Sequence, residues 1–225
     1  MDHFENWKNL VNPEFYIRLG GFWLVIFIIF AETGLFVGFF LPGDSLLFIS
    51  GIYSVEMVTN TFGTTGSGFG DTTIVAGSIA LAAIIGNELG YWIGHKTGPA
   101  FYEKKDSFFF KKKYLYQATE FFEKHGSLAI IVARFLPIVR TFVPIVAGIV
   151  GMSKKRFLLD NVIGALLWSF SLVFAGHYLD RFFLDQFKID LKAHLESIIL
   201  VLVLVTTLPV ILKLIFGKSK APEQD

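Results

Sequence analysis

At 225 residues, 53% hydrophobic and 16% aromatic with only 17% charged, the chain falls well below the roughly 25% charge of soluble domains. A formal net charge of +1 supplies no concentrated basic surface for nucleic acid. With no cysteine there is no disulfide framework, and His3, His95, His125, His177 and His194 lack metal-ligand spacing, so an integral membrane protein without metal or cofactor is the class left standing.

The opening MDHFENWKNLVNPEFY has neither the positive start nor the small-residue cleavage site of a secretory signal, so it is expected to be retained. Four segments are long and apolar enough to cross about 30 Å of hydrocarbon as helices, at 14–31, 72–94, 157–179 and 197–216. Two further apolar stretches, 32–50 and 127–150, carry charge, Gly and Pro in mid-segment. Proline removes a backbone donor and clashes with the preceding turn, so Pro42 with Gly43, and Pro137 with Pro144, are expected to break each stretch into two short helices. Irregular backbone at membrane depth must be received by protein or a water-filled cavity, which makes both stretches re-entrant hairpins.

Between the second and third spans, 99–125 holds too many charges to cross, and its Phe and Lys blocks suit an amphipathic segment lying at the interface. The Lys-rich run through 96–124, the basic triplet Lys154, Lys155 and Arg156, and Lys213, Lys218 and Lys220 all favour the cytoplasm. The stretch 51–71 has no Lys or Arg and reads as an outer loop, flexible over its Gly/Thr/Ser-rich part. Four spans then place both termini inside, with the hairpins entering from opposite faces. The fold class is an all-α, polytopic, single-domain membrane protein over 1–225, with four transmembrane helices and two opposed re-entrant hairpins.

FLPGDSLLFISG (40–51) and FLPIVRTFVPIVAG (135–148) share a Phe-Leu-Pro step, a charge and a closing Gly, and each precedes a span carrying Gly-His, at Gly94-His95 and Gly176-His177. That pattern suggests an inverted repeat, an architecture that places substrate near the midplane between broken helices. Charged residues in such segments are functional candidates by default, and here they are Glu32, Asp44, Arg134 and Arg140. Glu88, between Gly86 and Gly90, is a candidate relay acid or a partner in a tight helix crossing. His95 and His177 read as boundary residues at span ends, Trp92 and Trp168 as lipid- or packing-facing, and Trp7 and Trp23 as interfacial.

Glu32 and Asp44 in ETGLFVGFFLPGDSLLF, GNELGYWIGHKTG (86–98), Phe121 with His125-Gly126, and RFLPIVRTFVPIVAG (134–148) together resemble the DedA family of bacterial inner-membrane proteins, also called SNARE-associated or VTT-domain proteins. The likeness covers roughly residues 20–180. It implies a transporter in the bacterial cytoplasmic membrane that returns the lipid carrier undecaprenyl phosphate for envelope synthesis and is tied to the proton motive force. By the same resemblance Glu32 and Asp44 match the family's essential acids, and Arg134 and Arg140 its essential arginines.

Those residue types suit that task. Arginine stays charged when desolvated and donates two parallel bonds to phosphate, so Arg134 and Arg140 are expected to clamp one headgroup. A buried carboxylate favours its protonated form while a nearby guanidinium favours the anion, so Glu32 and Asp44 are placed to couple headgroup release to a proton. The expected partners are an anionic polyprenyl-phosphate lipid, protons and membrane phospholipids, with no nucleic acid and the oligomeric state open. A proton- or cation-coupled antiporter and a non-transporting scaffold remain as alternatives. No nucleophile cluster points to an enzyme.

Overall fold

The computed structural model describes residues 13–35, 43–63, 65–103, 120, 122, 124, 127–195, 197–198 and 200–201. Every described element is helical: α1 (Pro13–Gly34), α2 (Gly43–Ile52), α3 (Ser54–Phe62), α4 (Gly68–Glu103), α5 (Ser127–Ala133), α6 (Pro137–Ile149), α7 (Lys154–Phe187) and a 3-10 turn at Leu191–His194.

Among the described residues two helices are long and apolar enough to cross a bilayer, Gly68–Gly98 within α4 and Lys154–Phe187. At 1.5 Å per residue, the 31 and 34 residues reach about 45–50 Å, more than the hydrocarbon thickness. They run antiparallel, because Gly68 lies against His177 and Arg181, Asn87 against Asn161, and Tyr91 against Phe157. Their outward faces carry large exposed apolar side chains, Leu81, Ile85 and Trp92 on one and Leu159 and Leu167 on the other, where lipid tails would lie.

The first expected span differs from a straight helix over 14–31. The backbone of α1 leaves helical geometry at Gly21 (φ +55°), a left-handed conformation open to glycine, and the helix then continues past Glu32 to Gly34. Gly21–Gly34 alone, 14 residues, is too short to cross. Glu32 thus stands on the end of α1 rather than in a separate hairpin arm, and α2 returns from Gly43. The turn that would carry Pro42 lies outside the described residues. Within 127–150 the expected helix break is present: α5 ends at Ala133, Arg134 to Leu136 form the break, and Pro137 opens α6 at the first helical position, where its missing N–H costs nothing. Pro144 does not end that arm. It sits inside α6, where it removes the bond that the Arg140 carbonyl would otherwise accept.

The outer loop expected over 51–71 contains α3, which buries Met57 and Val58, leaving a short turn with left-handed Gly63 and Gly66. Residues 99–103 continue α4, and most of the interfacial segment beyond them lies outside the described residues, although Phe122 is buried against the core. The fourth span, 197–216, lies outside them beyond residue 201.

The two halves interlock. The main partner of α2 is α7, and the main partner of α6 is α4, so these two arms pack on the span of the other half, while α1 packs on α4 and α5 on α7. The contacts are equivalent. A methyl on Gly51 would strike the Val173 carbonyl, and one on Gly176 would strike Phe48. On the other side, a methyl on Gly148 would strike the Tyr91 carbonyl, and one on Gly94 would strike Ile145. Val173 and Tyr91 each stand four residues before the histidine of their Gly-His pair. Small residues let helix backbones meet in a medium that offers no hydrophobic drive for helix association. Gly77, by contrast, has nothing within 4 Å of an added methyl. Gly77→Ala should therefore leave the thermal midpoint in detergent unchanged or raise it by the equivalent of about 1 kcal/mol, whereas Gly94→Ala or Gly176→Ala should lower it sharply, by loss of backbone contact.

Candidate functional site

The end of α1, the start of α2, the break before α6 and the middle of α7 meet in one polar layer, with a large apolar cluster (Val25, Leu46, Ile79, Val173) on one side and a smaller one (Tyr91, Val143, Phe157) on the other. All four charged candidates lie there. Arg140 donates one terminal nitrogen to Glu32 Oε1 and the other to Asp44 Oδ1, so a single guanidinium bridges acids from two different helices. Glu32 is 1% exposed, Arg140 7% and Asp44 15%, so the charges face each other rather than water.

Glycine sets this approach. A methyl on Gly43 would fall directly on the Glu32 carboxylate, which leaves the acid against the first turn of α2, where the helix dipole favours an anion. Glu32 Oε2 itself has no hydrogen-bond partner.

Arg134 is held differently. Among the described residues no carboxylate pairs with it. It donates to Asn161 Oδ1, and Asn161 Nδ2 in turn donates to the Ile84 carbonyl at 3.1 Å. Turned so that its oxygen faces Arg134 at 2.6 Å and its nitrogen faces the Thr33 carbonyl at 3.1 Å, the Asn87 amide satisfies both ends. Gly164 leaves room for the Arg134 stem. Its charge is therefore solvated by amide dipoles and is not neutralised by an adjacent acid.

Trp168 joins the two arginines. Its ring centroid lies 5.0 Å from the Arg140 guanidinium carbon and 6.0 Å from that of Arg134, and its Nε1 donates to Asp44 Oδ1 at 2.9 Å. The indole thus offers a π face to both cations and a donor to one anion. Trp168 is 1% exposed, so of its two expected surroundings it has protein packing rather than lipid, with the bond to Asp44 in addition.

The domain that this arrangement belongs to is set by comparison: the VTT domain pattern matches residues 15–178. The chain belongs to the DedA family. Protein DedA of Escherichia coli is 37% identical over 198 residues, covering 88% of this chain and 84% of its own length. An uncharacterised membrane protein of Mycobacterium leprae is 37% identical over 209 residues, 90% of this chain and 86% of that one. The inner membrane protein YqjA of Escherichia coli is 30% identical over 178 residues, 79% and 74% respectively. No solved structure matches. This DedA-family chain is a membrane protein.

Sequence reasoning found the four charges but not their pairing: both acids go to Arg140. Glu88, the candidate relay acid, makes no described hydrogen bond to the four, and its neighbour Asn87 reaches Arg134 instead. Glu88 lines a groove of about 680 Å³ with Tyr91, Trp92, His95, Met152 and Lys154. Trp168, Asn161 and buried Asp160 were missed. The signal was present in an Asp-Asn pair within an apolar span and a tryptophan at mid-span, away from the interfacial belts where that residue usually sits.

Trp168→Phe keeps a ring beneath the guanidiniums but removes the bond to Asp44 and leaves a cavity where the larger indole was buried, so it should cost at least about 1.5–3 kcal/mol of stability, read as a lower thermal midpoint with helix content unchanged. Gly43→Ala should separate Glu32 from Arg140 and be at least as damaging as Glu32→Gln in any assay of function.

Proposed function

We propose that the chain is a transporter that translocates undecaprenyl phosphate, a polyprenyl phosphate monoester, across the bacterial cytoplasmic membrane for reuse in envelope synthesis, driven by the proton motive force. The observation that carries this reading is the inequality of two buried arginines beside one indole: Arg140 is neutralised by two acids, and Arg134 by none among the described residues. An incoming phosphate meets Arg134 first, since that cation already faces dipoles and gains an anion. It then competes with Glu32 and Asp44 for Arg140, whose planar fork suits phosphate as well as carboxylate.

When phosphate displaces the acids, each carboxylate loses its counter-charge in a dry site, and taking a proton is the cheapest response. Deprotonation restores the bridge to Arg140 and expels the headgroup. Proton movement and headgroup release are thereby linked through one guanidinium. The prenyl tail is suggested by the family resemblance, while the phosphate rests on the arginine geometry. Lys96, Lys154, Lys155 and Arg156 gather at one end of the antiparallel pair, which supports a cytoplasmic placement of that end with both termini inside.

A proton- or cation-coupled antiporter is the second reading, favoured by the unpartnered Oε2 of Glu32. The test is flux of undecaprenyl phosphate in proteoliposomes with equal folded incorporation. Arg134→Ala, Arg140→Ala and Glu32→Gln should each lower flux by about tenfold or more, as expected for loss of a charged hydrogen bond. Arg140→Lys should resemble Arg140→Ala, because the charge remains and the fork is lost. Wild-type flux indifferent to a collapsed pH gradient would refute the coupling, and Arg140→Lys retaining wild-type turnover of a cation would favour the antiporter.

A further inference from the structure

The two histidines of the repeat occupy equivalent places, one residue beyond the crossing glycines, yet their surroundings differ. His95 is exposed along the groove at the basic end, whereas His177 is 4% exposed at the far end of α7. This overturns its expectation as a boundary residue. Around it, Ser54 Oγ lies 2.9 Å from Thr72 Oγ1 and 3.2 Å from His177 Nδ1, and Thr72 donates its own proton to the Gly68 carbonyl at 2.7 Å.

Those bonds fix the direction of the chain. With its proton committed to Gly68, Thr72 can only accept from Ser54, and Ser54, having donated, accepts from Nδ1–H of the imidazole. The neutral ring is therefore protonated on Nδ1, and Nε2 is a bare base. Nε2 is buried with no hydrogen-bond partner among the described residues.

We propose that His177 is a proton-binding site, and that a proton on Nε2 loosens the crossing of α2 on α7 and so lowers the hold of Asp44 on Arg140. A protonated ring would have a donor without an acceptor in the closed cluster, which is a cost that opening relieves. The charged groups facing it act in opposite senses. Arg181, on its own helix, packs over Gly68 beside the ring and repels the added charge. Asp71 on α4 attracts it but already accepts from the Thr65 N–H at 3.1 Å. Asp180 on α7 and the Glu56–Lys192 pair, at 2.5 Å between α3 and the 3-10 turn, form the next layer, and the Gly51 backbone on α2 favours the proton as Asp71 does.

The transmission is mechanical. His177 stands nine residues beyond Trp168, about 13 Å along the helix, too far for a single proton transfer. Gly51, against Val173, is on the same ten-residue helix as Asp44. A shift at that contact moves the carboxylate at the helix's other end. The consequence at Asp44 rests on the proposed transport cycle, but proton binding and loosening do not, so they are tested without substrate.

Because the chain has no cysteine, one introduced thiol reports alone. Val173→Cys, fully buried at the crossing, is treated with a methanethiosulfonate reagent in the full-length protein in detergent, and its rate is divided by that of Gln186→Cys, which is exposed. The ratio is expected to rise about tenfold between pH 8 and pH 5.5 and to stay flat when His177→Gln is added. A flat ratio with His177 present, or a rise that survives His177→Gln, would overturn the proposal. If His177→Gln does not fold, imidazole ¹⁵N spectra of the otherwise native chain decide the matter. A buried ring bearing its proton on Nδ1 at pH 8 and on both nitrogens at pH 5.5 supports it, and an Nε2–H tautomer or a ring that never titrates refutes it.

Discussion

A guanidinium cannot shed its charge in a dry interior, so burying Arg140 obliges the fold to deliver anions to it from wherever the chain can supply them. The two that arrive come from residues 96 and 108 positions earlier, on helices that approach from different directions. The other features of the centre follow from this demand. Gly43 clears the space for the Glu32 carboxylate, Trp168 steadies Asp44 and faces the cation, and Pro137 stops α5 from running on so that α6 can start with Arg140 aimed inward. Buried ion groups contribute little net stability compared with apolar packing of the same volume. A centre of this kind is better understood as a site kept for what it does with charge.

The exchange of partners between the halves explains how so irregular a centre is held. Neither α2 nor α6 leans mainly on the span of its own half. Each is gripped through a glycine contact by the other half's, and the unequal pair of arginines sits between the two grips. Movement at either glycine crossing must therefore be felt at the centre, since α2 carries Asp44 and α6 carries Arg140.

Much of this was legible in the sequence because the bilayer narrows the choices. Charges and prolines inside apolar runs have few tolerable explanations, so Glu32, Asp44, Arg134, Arg140 and the break at Pro137 stood out. The repeated Gly-His pair marked the crossings, although not that they are crossings with the other half. What the sequence hid was partnership. Nothing in the spacing of Glu32, Asp44, Arg134 and Arg140 says that both acids choose one arginine, because that depends on which helix faces which. Trp168 and Asn161 were obscured for the same reason: an aromatic or an amide in a span reads as packing until its neighbours are known. The helix α3 was lost because a Gly/Thr/Ser-rich turn at its end dominated the composition of the whole stretch.

The reliance of α2 on α7 also orders events in time. Val173, against which Gly51 closes, is made 122 residues after it. At about 5–20 residues per second of synthesis, the first hairpin stands in the nascent chain for about 6–24 s before its partner exists. Asp44 waits 96 residues for Arg140 and 124 for Trp168, about 5–19 s and about 6–25 s at the same rate. An assembly whose halves clasp each other can thus be completed only once the second half has been made, and the first half waits with its acid unpaired.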